Sequence, residues 1–175
     1  MTEHILTELA SGVLRIEMRR PEKKNALTGP MYAAMADALE RAAREDAIRV
    51  VLIHGQPGVF TAGNDLGDFL NGPTNDPNRP VFRFLRNIAA AEKPLVAAVA
   101  GNAVGVGTTM LLHCDLVYAG ESARFQLPFV NLALCPEAAS SLLLPRLVGH
   151  PRAAELLFFG EPFGAAKAYE MGLAN

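Results

Sequence analysis

Two short apolar runs, IRVVLIHG (48–55) and PLVAAVAG (94–101), constrain the fold of this chain more than any other feature. The first is rich in β-branched residues, and both lack the strict polar/apolar alternation of a half-exposed strand. They predict strands buried on both faces, as in a parallel sheet covered by helices. Helical patterns separate them. An Ala-rich, charge-spaced stretch predicts a helix over 31–45, and VFRFLRNIAAAE (81–92) and GTTMLLHC (107–114) predict two more. GVLRIEM (12–18) alternates well enough for a strand, and DLVYAGESARFQL (115–127) reads as a strand, a turn and a short extended piece. The tail from Pro151 reads as helical, with Gly and Pro breaks at 160–164. Strands alternating with helices predict an α/β domain with a largely parallel sheet. NGPTNDPNRP (71–80) is turn-rich and predicts a mobile surface segment.

With 175 residues, half of them hydrophobic, the chain can bury one core, and no composition shift marks an internal boundary. One domain spanning 1–175 is the expectation. The charges nearly cancel, 16 basic against 18 acidic, and the aromatic residues are not interleaved with Lys or Arg, which argues against a nucleic-acid partner. No apolar run reaches the ~18 residues of a membrane span. The opening MTEHILTELASG lacks a basic leader, so a soluble, cytoplasmic protein is expected. Cys114 and Cys135 form no C-x-x-C pattern, so buried free thiols are expected rather than a zinc site or a disulfide. The four histidines are scattered, and His113, inside an apolar helical run, reads as a hydrogen-bonded structural residue. No metal site is expected.

The run GNAVGVG (101–107) holds three glycines in seven residues, but nucleotide readings fail on spacing. A dinucleotide fingerprint needs a third glycine at Met110, and a Walker loop needs Lys followed by Ser or Thr. Ser140 and Ser141 stand in EAASSL rather than in a G-x-S-x-G elbow, so serine hydrolysis has no support. What remains is a pair of glycine-bearing turns, FTAGNDL and GNAVGVG, each following one of the two apolar runs. They are either tight strand-to-helix connections or places where backbone N–H groups approach a bound oxygen at the carboxyl ends of strands.

Four stretches, RPEKKNALT (20–28), FTAGNDLGDF (60–69), the segment 101–134 and AAELLFFGEPFGAAKAYEMGLAN (153–175), together resemble the crotonase superfamily, also called enoyl-CoA hydratase/isomerase. The resemblance covers nearly the whole chain, with order and spacing in agreement. It implies a core of ββα units coiled into a spiral, trimeric assembly or a dimer of trimers, and acyl-coenzyme A thioesters as ligands, with coenzyme A entering as part of the substrate and no separate cofactor. Relatives usually continue as further helices after the position of Asn175, so the C-terminal helical region is expected to be largely absent here. By motif, the thioester oxygen is held by the backbone N–H groups of Asn64 and Val106. Lys24, Ala62, Asn64, Leu66 and Gly105 fall on the coenzyme A path, and Arg20 and Lys23 are further candidates for its phosphates. Phe82, Phe84 and Leu85 are candidates for the acyl-tail wall, although helix packing explains them equally well.

Removing a proton next to a thioester carbonyl places charge on its oxygen, and each preorganised donor there is worth roughly 2.7–4 kcal/mol. Two donors supply about 5–8 kcal/mol, against ~3–5 kcal/mol for a positioned base. The base selects the reaction. Where hydratases of this superfamily carry two glutamates, this sequence has Thr109 and Phe129, neither of which can take a proton from water at neutral pH. A carboxylate does stand nearby at Glu137 in NLALCPEAASS, and the pattern of PF followed eight residues later by PE is similar to peroxisomal-type Δ3,Δ2-enoyl-CoA isomerases. There the equivalent glutamate moves one proton between carbons 2 and 4. Apolar neighbours are expected to raise the Glu137 pKa, though a carboxylate favouring a helix N-terminus after Pro136 is the plainer alternative. Asp65 and Asp68 read as helix-start carboxylates, and Asp115 as a residue fixing the start of a strand. The resemblance thus implies an isomerase of 3-enoyl-CoA thioesters in fatty-acid β-oxidation. A hydratase with an atypical base and a non-catalytic acyl-CoA-binding or assembly module remain open.

Overall fold

The computed structural model describes residues 2–71, 76 and 78–175, so much of the turn-rich 71–80 segment lies outside the described residues. Two sheets organise the chain. Strands β1 (Ile5–Ala10), β2 (Val13–Met18), β3 (Val50–His54), β5 (Leu95–Val99) and β7 (Leu116–Ala119) form the first, in the order β1-β2-β3-β5-β7. The short strands β4 (Val59–Thr61), β6 (Asn102–Val104), β8 (Arg124–Gln126) and β9 (Phe163–Gly164) form the second, in that order. Pairing is parallel except where β1 meets β2 and β8 meets β9.

β3, β5 and β7 of the first sheet each pass into a strand of the second and then into helix. β3 and β4 lead to α2 (Leu66–Asn71) and α3 (Pro80–Ala89). β5 and β6 lead to α4 (Val106–Thr109), which continues as a 3-10 turn to His113. β7 and β8 lead to α5 (Ser140–Val148) and α6 (His150–Phe159), and α7 (Ala165–Glu170) follows β9. These are the ββα units that the resemblance implied.

The register builds the core. Ile16, Ile53, Ala97 and Val117 stand side by side across β2, β3, β5 and β7, and Leu14, Val51 and Leu95 form the next row, all buried. The alternate rows are only half-buried, and Leu116 and Tyr118 are exposed on that face. The expectation of strands buried on both faces is therefore corrected. Helices cover one side of the first sheet, and the other side stays partly exposed.

Helix α1 (Gly29–Arg44) turns Met31, Tyr32, Met35, Ala36, Leu39 and Ala42 inward, with Pro30 in its first turn and Arg41 and Arg44 in its last, where cations favour the helix dipole. Its first N–H, on Gly29, donates to Asp68 Oδ2 at 2.8 Å. Asp68 thus caps α1 rather than its own helix, a role that spacing along the chain could not suggest. Arg83 of α3 grips α1 through Glu40 and Asp37, both at 2.6 Å, and hydrogen bonds from Arg83 and Asn87 hold the Glu40 carboxyl at about 2. The α1–α3 pair forms one wall of the site.

Candidate active site

The first of the two glycine turns is held by the basic loop. Asn25, fully buried, donates to Phe60 O at 2.9 Å, accepts from Arg20 N at 2.6 Å, and receives Thr61 Oγ1 on its own carbonyl at 2.6 Å. Arg20 donates to Ala26 O at 2.9 Å and to Asp65 Oδ2 at 2.7 Å. That pairing holds the Asp65 carboxyl below its usual range, while Asp65 Oδ1 caps α2 through the Asp68 N–H. Arg20 is therefore committed to an internal ion pair, which corrects its candidacy for a coenzyme A phosphate. Lys23 and Lys24 remain exposed, and the Lys24 carbonyl accepts the Ala62 N–H at 2.9 Å.

Leu27 bridges this turn in parallel fashion, with Leu27 N to Gly63 O at 2.8 Å and Asp65 N to Leu27 O at 2.9 Å. In such a bridge the intervening residue directs its own N–H to the opposite side. The Asn64 N–H accordingly points away from Leu27.

The second turn lies beside the first because β4 and β6 are paired neighbours. A Cβ on Gly63, which has φ +91°, would stand 2.7 Å from Val104 O, and one on Gly107 would stand 2.6 Å from Thr61 Cγ2. Only glycine lets the two turns touch this closely. Gly105 N donates to Gln126 O at 3.0 Å, and Thr108 Oγ1 donates to Ala103 O at 2.5 Å, which ties α4 to β6 and β8. Val106 opens α4, where the first N–H groups have no intrahelical acceptor. Among the described residues, neither the Asn64 nor the Val106 N–H donates a hydrogen bond within the chain.

Glu137 lies in the loop before α5. Its carbonyl accepts both Ser140 N at 3.0 Å and Ser140 Oγ at 2.7 Å. Ala138 and Ala139 are both left-handed at φ +53°, each costing roughly 1–2 kcal/mol relative to ordinary backbone. His113 Nε2 meets Ala138 O at 2.9 Å, so the helical segment that starts at Val106 ends against the residue next to Glu137. His113 is thus the structural histidine expected.

The Glu137 carboxylate faces a cavity of about 210 Å³ that Leu27, Tyr32, Asn64, Val81 and Phe82 also line, with Asp65, Asp68 and Arg79 at its polar side. Burial pushes the carboxyl up to about 7, against the pull of a hydrogen bond from the Asn64 side chain. Glu137 Oε1 is buried and has no hydrogen-bond partner among the described residues. Tyr32 donates its hydroxyl to Asn64 Oδ1. A carboxylate poised near neutrality, beside two turns with uncommitted N–H groups, can move a proton on a molecule whose oxygen those N–H groups hold.

The family model for enoyl-CoA hydratase/isomerase matches residues 8–175. The chain belongs to the enoyl-CoA hydratase/isomerase family. It is similar to the 1,2-epoxyphenylacetyl-CoA isomerase of Escherichia coli K12, with 37% identity over 99% of this chain and 69% of the relative. It is also similar to enoyl-CoA delta isomerase 2 of Rattus norvegicus, with 37% identity over 98% of this chain and 45% of the relative. Among solved structures, OdaA of Pseudomonas aeruginosa superposes with a TM-score of 0.96 at 51% identity, covering 99% of this chain and 70% of that one. The chain thus spans between 45% and 70% of the length of these three proteins.

Thr109 and Phe129, which the resemblance aligns with the glutamates expected of a hydratase, are buried side chains. Thr109 Oγ1 has no partner among the described residues. Leu66 is 62% exposed beside the site, Ala62 and Gly105 are half-buried, and Phe82 alone of the three acyl-wall candidates lines the cavity. Phe84 is a fully buried core residue with its ring 5.6 Å from that of Tyr32, and Leu85 packs on the core. Asp115 accepts Leu95 N at 2.7 Å and so fixes the start of β5. Burial raises the Cys114 thiol to about 12, which leaves it inert, but Cys135 is exposed, contrary to expectation. Its loop precedes α5 and presents the thiol to solvent. Tyr32 was not anticipated, although a lone tyrosine on the apolar face of an Ala-rich helix is a visible signal.

Proposed function

We propose that the chain is an enoyl-CoA isomerase that shifts a 3-enoyl-CoA double bond to the 2 position. The observation that carries this reading is Glu137, a half-buried carboxylate whose Oε1 is buried and unpartnered among the described residues and whose pKa is pushed up to about 7, on a cavity near which the hydratase positions are occupied by Thr109 and Phe129. Glu137 takes a proton from C2 of the acyl chain, the electron pair moves into a dienolate, and the same carboxyl returns the proton at C4. Charge gathered on the thioester oxygen is met by the Asn64 and Val106 N–H groups, which support this role by being uncommitted and on adjoining turns. No water is consumed, and no cofactor is required beyond the coenzyme A of the substrate. Lys24, Ala62, Leu66 and Gly105 flank the same turns and are read as the coenzyme A path.

A 3-enoyl-CoA and a 2-enoyl-CoA assayed side by side test the proposal. Isomerisation is expected to exceed water addition. Faster hydration of the 2-enoyl-CoA would favour a hydratase with an atypical base, and coenzyme A affinity without turnover would favour a binding module.

Self-association belongs to the same reading. Val130, Leu132, Leu142, Leu147, Phe158 and Phe159, in the 3-10 turn before Glu137 and in α5 and α6, are 43–70% exposed. Large apolar side chains gathered in this way mark surfaces that another protein covers. Light scattering is expected to give a mass of several chains, and a monomer at all concentrations would remove this part of the reading.

A further inference from the structure

We propose that Tyr32 is a positioning residue for Glu137: its hydroxyl fixes the Asn64 amide so that Nδ2 faces the carboxylate, which ties the base to the residue whose N–H faces the substrate oxygen. An asparagine amide has a donor end and an acceptor end, and only the donor end is compatible with an ionised carboxylate. Free rotation would bring Oδ1 against Glu137 and repel the charged form. The Tyr32 O–H donates to Oδ1 and so selects the other orientation.

Tyr32 can hold that setting because it is packed in the core and its phenol stays protonated well above its ordinary range. It is 3% exposed, its ring packs tilted against Phe84, and its helix is gripped by Arg83. Burial, with Glu137 and Asp68 as neighbouring negative charges, keeps the phenol well above its ordinary range, so the hydroxyl remains a donor wherever Glu137 titrates. The other charged groups around the cavity are Asp65, paired with Arg20, together with Asp68 of α2 and Arg79 ahead of α3. His113 reaches the Glu137 loop only through the Ala138 carbonyl. Asn64 is thereby asked to do two things at once, with its backbone facing the substrate oxygen and its side chain facing the base. A tyrosine on a different helix keeps the two aligned.

This inference rests on Glu137 being the base, so its test does not depend on turnover. The carboxyl carbons of glutamate are labelled with ¹³C, Glu137 is assigned from Glu137→Gln, and its titration is followed in the parent chain, Tyr32→Phe, Asn64→Ala and the double variant. Loss of an oriented donor disfavours the charged form, so Tyr32→Phe is expected to move the Glu137 midpoint up by about 0.5–1 pH unit. Asn64→Ala is expected to move it at least as far, and the double variant no further than Asn64→Ala. An unchanged midpoint in Tyr32→Phe overturns the proposal. So does a Tyr32→Phe shift of the same size in the Asn64→Ala background, since Tyr32 would then act on Glu137 without the amide. A purely structural tyrosine would lower the melting temperature and leave the midpoint in place. If the midpoint moves as expected in a chain that does not isomerise 3-enoyl-CoA, the positioning role stands and the isomerase reading falls. If the chain does isomerise, the acid limb of kcat/KM moves by the same interval.

Discussion

Glu137→Gln is expected to lower the isomerisation rate by roughly 10²–10⁴-fold, the usual contribution of a positioned acid–base group. KM should change little, because the substitution keeps the size of the side chain and leaves the N–H groups of Asn64 and Val106 in place. Residual turnover above the solution rate should persist, since the backbone donors do not depend on the carboxylate. A rate within threefold of the parent would remove Glu137 from the mechanism. The same substitution has a second, opposite consequence. The folded-state pKa of about 7 is raised above the ordinary 4.5 by burial, so the charged form is the disfavoured one. Stability is then greatest below about 4.5 and declines as pH rises from there through about 7. Glu137→Gln removes that decline, and chemical denaturation at pH 8 should find the variant more stable than the parent by ~1–3 kcal/mol. At pH 4 the two should be nearly equal. A loss of activity accompanied by a gain in stability is the pattern of a buried group kept for chemistry rather than for folding.

Gly63→Ala is expected to damage both stability and activity. The residue has φ +91°, and the added Cβ would meet Val104 O at 2.7 Å, backbone against backbone, with no flexible side chain to yield. Conformational strain and the displaced turn together should cost on the order of 2–4 kcal/mol. That corresponds to a fall in Tm of roughly 4–16 °C for a domain of this size. Activity should fall further than stability accounts for, because the methyl pushes apart the two turns that carry the Asn64 and Val106 N–H groups. Assayed well below its melting point, the variant should lose mainly kcat. Gly58, also at positive φ but with open space around its Cβ position, is the comparison: Gly58→Ala bears the conformational cost without the collision and should leave activity intact.

Much of the architecture was legible because long apolar runs report burial directly. The runs at 48–55 and 94–101 became β3 and β5, and the Ala-rich stretch at 31–45 became α1 with its limits shifted by one or two residues. The strands of the second sheet were not legible as a sheet. Segments of two or three residues carry no period, and their place is set by the glycine corners and by pairing with distant partners, such as Val59 with Asn102, Asn102 with Arg124 and Arg124 with Gly164. Helix α5 was legible only as an unbounded helix start after Pro136, because Ser140 and Ser141 interrupt the pattern and Pro145 stands inside the helix. β1 was passed over because its outer positions are exposed and its sequence mixes polar and apolar residues without strict order.

For the site, the two glycine-bearing turns and one carboxylate in an apolar neighbourhood left the plainer structural readings open, and it was the family resemblance that singled out Glu137, Asn64 and Val106. The sequence by itself determined which groups are present, including the Thr109 and Phe129 that stand where the resemblance implies glutamates in a hydratase. Partnership was decided by the tertiary structure alone. Arg20 is spent on Asp65 across 45 residues, Asp68 caps a helix that begins 39 residues earlier, and Tyr32 reaches the Asn64 amide across 32. The physical reason is that a side chain's intrinsic chemistry belongs to the residue, whereas its pKa, hydrogen-bond partners and orientation belong to whatever the fold packs against it.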